Sequence, residues 1–293
     1  VNLEELSLII PAYNEENAIR STISETDRVL SNSCDRYEII IVDDCSSDRT
    51  AEFARECGVT VIRHPLNMGY GYSLKTGIAT SKYEVVAICD ADGTYVAEEF
   101  LKLFPYATDF DMVVGARTGK EFLGSGLKRL ARWFQLKLVN FSTGNRIPDA
   151  NSGMRLMRRS KLQEFLPLTC GGFSFTTSLT LAMLSTGKKV KYVPITYNPR
   201  IGSSHVRLFR DTLRSLQILV QAMVRYNPVK AFLSLAFIPW GLGGLAWLGA
   251  GLSFLSCRDP AWPIVLFSIG MMSFMAGIIV FAMGMLALAC EQK

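Results

Sequence analysis

Two stretches near the end of the chain, Ala231 to Ser256 and Ala261 to Cys290, carry no charged side chain at all. Each exceeds the roughly 20 apolar residues that cross a hydrocarbon core about 30 Å thick. The chain is therefore expected to be an integral membrane protein with two spans, at about 231–256 and 261–290. A buried hairpin in a soluble core is the alternative, but core helices of that length show a polar face and neither run has one. The bend between the spans, Cys257-Arg258-Asp259-Pro260, is too short to hold a domain. Arg225 and Lys230 lie just before the first span, so the positive-inside rule puts the bulk of the chain and both termini in the cytoplasm. Val1 to Glu5 lead straight into a strand-like segment without a basic flank, so insertion is expected to use the C-terminal hairpin rather than a secretory signal.

The net charge of +5 over 293 residues hides a strong asymmetry. Residues 1–119 hold 10 basic and 20 acidic side chains, net −10, whereas residues 120–230 hold 19 and 4, net +15. An acidic third thus precedes a basic third, and the basic one adjoins the spans, where lipid phosphates are a better match than nucleic acid. The cysteines at 34, 45, 57, 89, 170, 257 and 290 form no CxxC pair and read as free thiols. With His64 and His205 the only histidines, a histidine-rich zinc site is not expected, and any metal should be oxygen-bound.

Within the first 119 residues, β-branched runs at Leu6 to Ile10, Glu38 to Val42, Thr60 to Arg63, Val85 to Cys89 and Met112 to Val114 read as parallel strands. Helices are expected at Asn14 to Leu30, at Ser47 to Cys57 with Ser47 as N-cap and Asp48 in its first turn, and at Gly69 to Ala79. Strand and helix in alternation make an α/β domain, whose ligands sit beyond the carboxyl ends of the strands. Asn14 and Glu15, Asp43 and Asp44, Asn67, and Asp90 and Asp92 all fall there. Two later segments, about 121–141 and 206–230, are basic amphipathic helices of the kind that lie in a membrane surface. Ordinary core-packing helices with solvated basic faces are the alternative reading.

Asp90-Ala91-Asp92 ends an apolar strand, and Gly93 eases a turn that lets both carboxylates reach one hard cation, Mg²⁺ or Mn²⁺, sharing it with phosphate oxygens and water. Nucleotide motifs fail on spacing: Gly69-Tyr70-Gly71 meets Leu74 where a dinucleotide fingerprint needs its third glycine, and Lys75-Thr76 lacks the glycine frame of a P-loop. His205 near Ser203 and Ser204 does not build a convincing nucleophilic triad.

The segments Leu8-Ile9-Ile10-Pro11-Ala12-Tyr13-Asn14-Glu15-Glu16, Ile39-Ile40-Ile41-Val42-Asp43-Asp44-Cys45-Ser46-Ser47-Asp48-Arg49-Thr50, Asn67-Met68-Gly69-Tyr70-Gly71 and Asp90-Ala91-Asp92-Gly93-Thr94-Tyr95 resemble, in order and spacing, family 2 glycosyltransferases of GT-A fold. Val114-Gly115-Ala116-Arg117, Asp149-Ala150-Asn151-Ser152-Gly153-Met154-Arg155 and Arg200-Ile201-Gly202-Ser203-Ser204-His205 are similar to the branch that loads sugars onto polyprenyl or dolichyl phosphate. The resemblance implies a GT-A nucleotide-sugar-binding domain over residues 1–205, followed by a juxtamembrane helix over 206–230 and the two-helix hairpin over 231–293. It places Pro11, Tyr13, Glu15, Asp43 and Asp44 around the nucleobase and ribose, with Asn67 among the substrate-binding positions, and Asp90 and Asp92 at the metal and diphosphate. Arg117, Arg129, Arg132, Arg200 and Arg155 become candidates for phosphate binding, with Ser203 and His205 beside Arg200. Asp149 becomes an orienting group for the acceptor, or else pairs with Arg155 or bonds the Ser152 backbone. The pattern departs at Thr94, where many relatives have Gln, and at His205, where Lys is frequent.

The implied reaction is an inverting transfer of a hexose from a nucleotide-diphosphate sugar, of UDP-glucose or GDP-mannose type, to polyprenyl phosphate at the cytoplasmic face. Alternatives are transfer to a lipid hydroxyl, a processive polysaccharide synthase, and a non-enzymatic nucleotide-binding membrane scaffold. A synthase would need Gln-x-x-Arg-Trp after the acceptor loop, whereas Arg129-Leu130-Ala131-Arg132-Trp133 has Arg for Gln and precedes Asp149. Ala246 with Ala250, and Ser273 with Gly277, are small pairs four apart that permit close helix contact, between the two spans or in a homo-oligomer.

Overall fold

The computed structural model describes residues 3–118, 126–172, 174–199, 208–256 and 261–291. It divides into two compact units, Val1–Leu219 and Val220–Lys293.

The first unit runs β1 (Leu3–Ala12), α1 (Ile19–Ser31), β2 (Cys34–Asp43), α2 (Thr50–Glu56), β3 (Thr60–Arg63), α3 (Tyr70–Thr80), β4 (Val85–Ile88), α4 (Phe100–Leu103), β5 (Met112–Arg117), α5 (Gly126–Thr143), β6 (Arg155–Arg158), α6 (Arg159–Gln163), α7 (Phe175–Ser185) and β7 (Val190–Ile195). These strands form one sheet in the order β3-β2-β1-β4-β6-β5-β7. The five strands expected from sequence are all present and mutually parallel. An antiparallel strand, β6, separates β4 from β5, pairing Ile88 with Arg155 and Val114 with Arg155. The parallel edge strand β7 completes that side.

β1 is central, and Leu6, Leu8, Ile9 and Ile10 are fully buried. Burial of a large aliphatic side chain contributes about 1.5–3 kcal/mol. On one face, Leu8, Ile10, Ile39, Ile41 and Ala87 meet Ile19, Ile23 and Leu30 of α1 and Phe100 of α4. On the other face, α3 lies so close that a Cβ on Gly77 would collide with Ile9 and stand 3.3 Å from Val42 Cγ2.

The helix starts differ from expectation because the loops before them have their own hydrogen bonds. Asn14 adopts φ 55°, its N–H donates to Ser46 Oγ at 2.9 Å, and α1 begins only at Ile19. Ser47 does not cap α2: its N–H donates to Asn14 Oδ1 at 2.8 Å. Asp48 Oδ1 instead accepts the Thr50 N–H at 3.0 Å, at the first residue of the helix.

Helix α8 (Leu208–Tyr226) contains the division between the units. The second unit holds α9 (Pro228–Ser256) and α10 (Ala261–Glu291). Only 17% and 11% of their most apolar windows are buried. A soluble core helix of this length would be mostly covered, so the pair fits membrane association. The two helices pack through aromatic residues set over glycines. Trp240 lies over Gly277 and Trp247 over Gly270, and a Cβ at Gly284 would stand 2.8 Å from Phe232 Cγ. Each indole N–H also donates to a carbonyl of the facing helix, Trp240 to Phe274 at 3.2 Å and Trp247 to Phe267 at 3.3 Å. Gly277, one of the small residues anticipated for close contact, is thus filled from within the same chain.

Candidate active site

At the carboxyl ends of β1 and β2, the two outgoing loops are tied together. Glu15 N–H donates to Thr50 Oγ1 at 2.8 Å and Glu16 N–H to Asp48 Oδ2 at 3.2 Å, which sets Tyr13 and Glu15 beside the end of β2. Pro11 is buried in β1, paired with Val42. Asp43 is fully buried and accepts the Ser46 N–H through Oδ1 at 3.2 Å. Its Oδ2 lies 3.1 Å from Arg63 Nε but off the axis of that N–H, and has no hydrogen-bond partner among the described residues. The Arg63 guanidinium balances its charge at the end of β2.

Asp44 has a different role from its neighbour. Its Oδ1 accepts the Met68 N–H at 2.9 Å and faces His64 Nδ1 at 2.7 Å, while Oδ2 accepts the Gly69 N–H at 2.7 Å. His64 is itself buried, with Nε2 2.9 Å from Thr76 Oγ1 on α3. Asp44 therefore clamps the loop between β3 and α3, which presents the exposed Asn67. His64, unremarkable in the sequence, is part of that clamp.

Beyond β4, Asp92 is buried, with Oδ1 accepting both the N–H (3.1 Å) and the hydroxyl (2.6 Å) of Thr94. The residue that departs from the family pattern thus orients the carboxylate. Thr22 of α1 donates to the Ala91 carbonyl at 3.3 Å and steadies the same loop. Asp90 is half-buried and accepts the Tyr70 hydroxyl at 2.8 Å. Burial first, and the Asp90 carboxylate second, push the Tyr70 phenol well above its usual range, so it remains a donor. Among the described residues no cluster of three or more Asp, Glu, His or Cys could cage a metal. Two carboxylates with the remaining positions left to diphosphate and water is nevertheless the donor set in which Mg²⁺ is usually held, and Asp90 and Asp92 fit it.

The third part of the site is the loop before β6. Arg117, last residue of β5, donates to Asp149 from Nε at 2.7 Å and from Nη2 at 3.0 Å. Burial alone would raise the Asp149 carboxyl, but the Arg117 guanidinium and the N–H groups of Asn151 and Arg117 hold it below its ordinary value. Arg117 also lies over the Tyr197 ring, 5.3 Å from its centroid. Tyr95 packs edge-on against Tyr197 and accepts the Gly153 N–H at 2.6 Å.

Arg155 is not placed to meet a substrate phosphate. It is completely buried, and its guanidinium donates to the carbonyls of Ser152 and Ala150 and to Thr180 Oγ1, each at 2.8 Å. It holds the loop from behind, and Asp149 pairs with Arg117 in preference to it. Arg129 is exposed on α5, and no described contact joins it to the cluster. Arg200, Ser203, His205 and the Arg132 side chain lie outside the described residues. A surface depression of about 450 Å³, lined by Thr108, Asp109, Phe110, Asp111, Arg158 and Lys189, sits at the opposite ends of these strands. Its groups pair off locally, as when Asp111 accepts the Lys189 N–H at 2.8 Å.

A mainly parallel sheet with carboxylates converging at its carboxyl edge, and an arginine–aspartate pair beside them, places the chain among α/β domains whose polar loops gather at one end of the sheet. The chain belongs to glycosyl transferase family 2, whose pattern it matches over residues 7–166. It is 31% identical to the low-salt glycan biosynthesis hexosyltransferase Agl6 of Haloferax volcanii over 73% of this chain, but spans only 53% of that protein. It is also 31% identical to the dolichyl-phosphate hexose transferase of Haloferax volcanii, covering 70% of this chain and 88% of the relative. Glucosyl-3-phosphoglycerate synthase from Mycobacterium tuberculosis, solved with Mn²⁺, UDP-glucose and phosphoglyceric acid, shares the fold with a TM-score of 0.60 at 18% identity, over 75% of this chain and 80% of that one.

Proposed function

We propose that this chain is a membrane-associated hexosyltransferase that moves a sugar from a nucleoside diphosphate to a polyprenyl phosphate, with inversion, at the cytoplasmic face. The observation that carries the reading is the Arg117–Asp149 pair, set beside a carboxylate loop suited to diphosphate. A carboxyl held ionised by a guanidinium is a weak proton acceptor, so Asp149 is a poor base for activating a lipid hydroxyl. A phosphomonoester acceptor has its second pKa near 6 and needs no base at neutral pH. It needs attraction and alignment, which arginine supplies bidentately. The activity named for the dolichyl-phosphate hexose transferase of Haloferax volcanii supports the same acceptor chemistry.

In this reading Pro11, Tyr13, Glu15 and Asp43 hold the nucleoside, and Asn67 borders it on the loop fixed by Asp44. Asp90 and Asp92 would hold Mg²⁺ or Mn²⁺, which when bound supplies charge neutralisation for the departing diphosphate. Arg117, oriented by Asp149, takes the acceptor phosphate, and the sequence resemblance adds Arg200, Ser203, His205, Arg129 and Arg132 as further candidates for phosphate contact. Trp133, Phe134 and Phe141 are exposed on α5, and they supply an apolar edge for a membrane surface. A UDP-hexose is the first donor to test, because the fold neighbour was solved with UDP-glucose.

The test is turnover by purified full-length protein in nanodiscs, with UDP-glucose, UDP-galactose or GDP-mannose against undecaprenyl and dolichyl phosphate. Lipid-linked sugar formed only with a divalent cation and a phosphorylated isoprenoid supports the reading. Preference for diacylglycerol or ceramide, or undiminished turnover in chelator, overturns it.

A further inference from the structure

Two groups from outside the loop after β4 lie against Asp90. Tyr70, the first residue of α3, donates its hydroxyl to Oδ1 at 2.8 Å. Gly153 lies so near the carboxylate that a Cβ there would stand 2.5 Å from Oδ1 and 2.6 Å from Cγ. Both holders are themselves anchored. Tyr70 follows Gly69, which has φ 104° and an N–H bonded to Asp44 Oδ2 at 2.7 Å. Gly153 donates its N–H to the buried Tyr95 hydroxyl at 2.6 Å, and Ser152 beside it donates to the Gly115 carbonyl at 2.5 Å. A carboxylate at the end of a short strand can rotate about two side-chain torsions, and here a phenol and a bare backbone select one orientation.

We infer that Tyr70 is a positioning residue that aims Asp90 at the divalent cation and diphosphate, with Gly153 as the wall that admits this orientation and no bulkier neighbour. The inference rests on the reading of Asp90 as a metal-side carboxylate. Partners behind a metal ligand typically contribute about 10–100-fold to metal affinity.

The test needs no turnover. Purified full-length protein is titrated with UDP, or with GDP if the wild type binds that more tightly, without metal and with MnCl2. The ratio of the two dissociation constants isolates what the cation adds. Tyr70→Phe is expected to leave metal-free affinity within about twofold and to cut the Mn²⁺-dependent gain by about 10–100-fold. Asp90→Asn cuts it at least as far. The double variant is no worse than Asp90→Asn alone, because the phenol then has no ligand to aim. Gly153→Ala, which displaces the carboxylate and spares the phenol, moves the ratio the same way. A Tyr70→Phe ratio equal to wild type beside an impaired Asp90→Asn overturns the positioning role. So does an equal loss with and without Mn²⁺, which marks a packing defect. A full Mn²⁺-dependent gain in Asp90→Asn sinks the metal reading itself, and the inference with it.

Discussion

Asp149 fixes Arg117 at three points, accepting from Nε at 2.7 Å, from Nη2 at 3.0 Å and from the Arg117 main-chain N–H at 3.2 Å. One carboxylate thereby sets both the side chain and the backbone at the end of β5. The pair is nearly dry, with the Arg117 side chain 12% and the Asp149 side chain 3% exposed. Taking one partner from a buried ion pair costs about 3–5 kcal/mol, because the other charge is left uncompensated. Asp149→Ala is therefore expected to destabilise the first unit by that amount, read as a lowered urea midpoint for the full-length protein. A loss below about 1 kcal/mol, the range of surface pairs, would show that solvent replaces the contact.

The same pair fixes the sign of a pH effect. A carboxyl whose folded pKa is depressed contributes stability that is complete above its unfolded value, about 3.9, and is lost as pH falls through the folded value. Asp149 is depressed, so it stays ionised across the working range. The acid limb of kcat/KM should instead follow the acceptor phosphate, with activity falling as pH drops through about 6. Asp149→Asn should lower the plateau without moving that limb. A limb that disappears in this variant would make Asp149 the titrating base and the acceptor a hydroxyl.

Asp44 and Asp43 are adjacent in sequence and should behave differently when changed. Asp44→Asn keeps one acceptor oxygen and sets an NH2 donor against the N–H of either Met68 or Gly69, which bond different oxygens of the carboxylate. Each buried group left unpaired costs about 1–3 kcal/mol. The ligand-free protein should then melt at lower temperature and bind nucleotide more weakly. Asp43→Asn can keep the oxygen that accepts the Ser46 N–H and gives up an ion pair with the half-exposed Arg63, so it should weaken nucleotide with a smaller change in ligand-free melting. Equal melting losses for the two would contradict the division of roles.

The amino acids disclosed the strands of the nucleotide half because Leu8-Ile9-Ile10 and Ile39-Ile40-Ile41-Val42 are β-branched runs closed by polar loops. β6 was hidden: Arg155-Leu156-Met157-Arg158 has no β-branched residue, and its first arginine faces the core. Pro194 obscured β7, an edge strand where proline is tolerated. α7 was hidden too, because Thr176, Thr177, Ser178 and Thr180 are buried polar residues in a helix with no solvent face to reveal its period. The carboxylates of the site were legible from their place after strands. Their partners were not, since Asp44 is satisfied by backbone N–H groups and Asp90 by a tyrosine that looked like part of a failed glycine motif. Asp149 paired with Arg117 and not with Arg155, its neighbour in sequence, because the antiparallel insertion of β6 brings the loop before it to the end of β5.

In the hairpin, Trp240 and Trp247 each combine a ring seated on a glycine with an indole N–H bonded to a carbonyl of α10. Without water as competitor, contact between membrane helices depends on packing and interhelical hydrogen bonds, each of the latter worth about 0.6–2 kcal/mol. Gly277→Leu and Gly270→Leu push the rings away and remove both contributions, and overpacking adds about 1–3 kcal/mol. Trp240→Phe keeps most of the ring and loses only the donor, so its cost should stay near the hydrogen-bond term. The expected order of loss in an SDS titration of the full-length protein, followed by far-UV circular dichroism, is Gly277→Leu greater than Trp240→Phe. Gly241→Leu serves as the control, because a Cβ there meets nothing within 4 Å. A Gly241→Leu loss as large as that of Gly277→Leu would mean that the glycines matter for helix flexibility or for an outside contact, and not for the fit of α9 on α10.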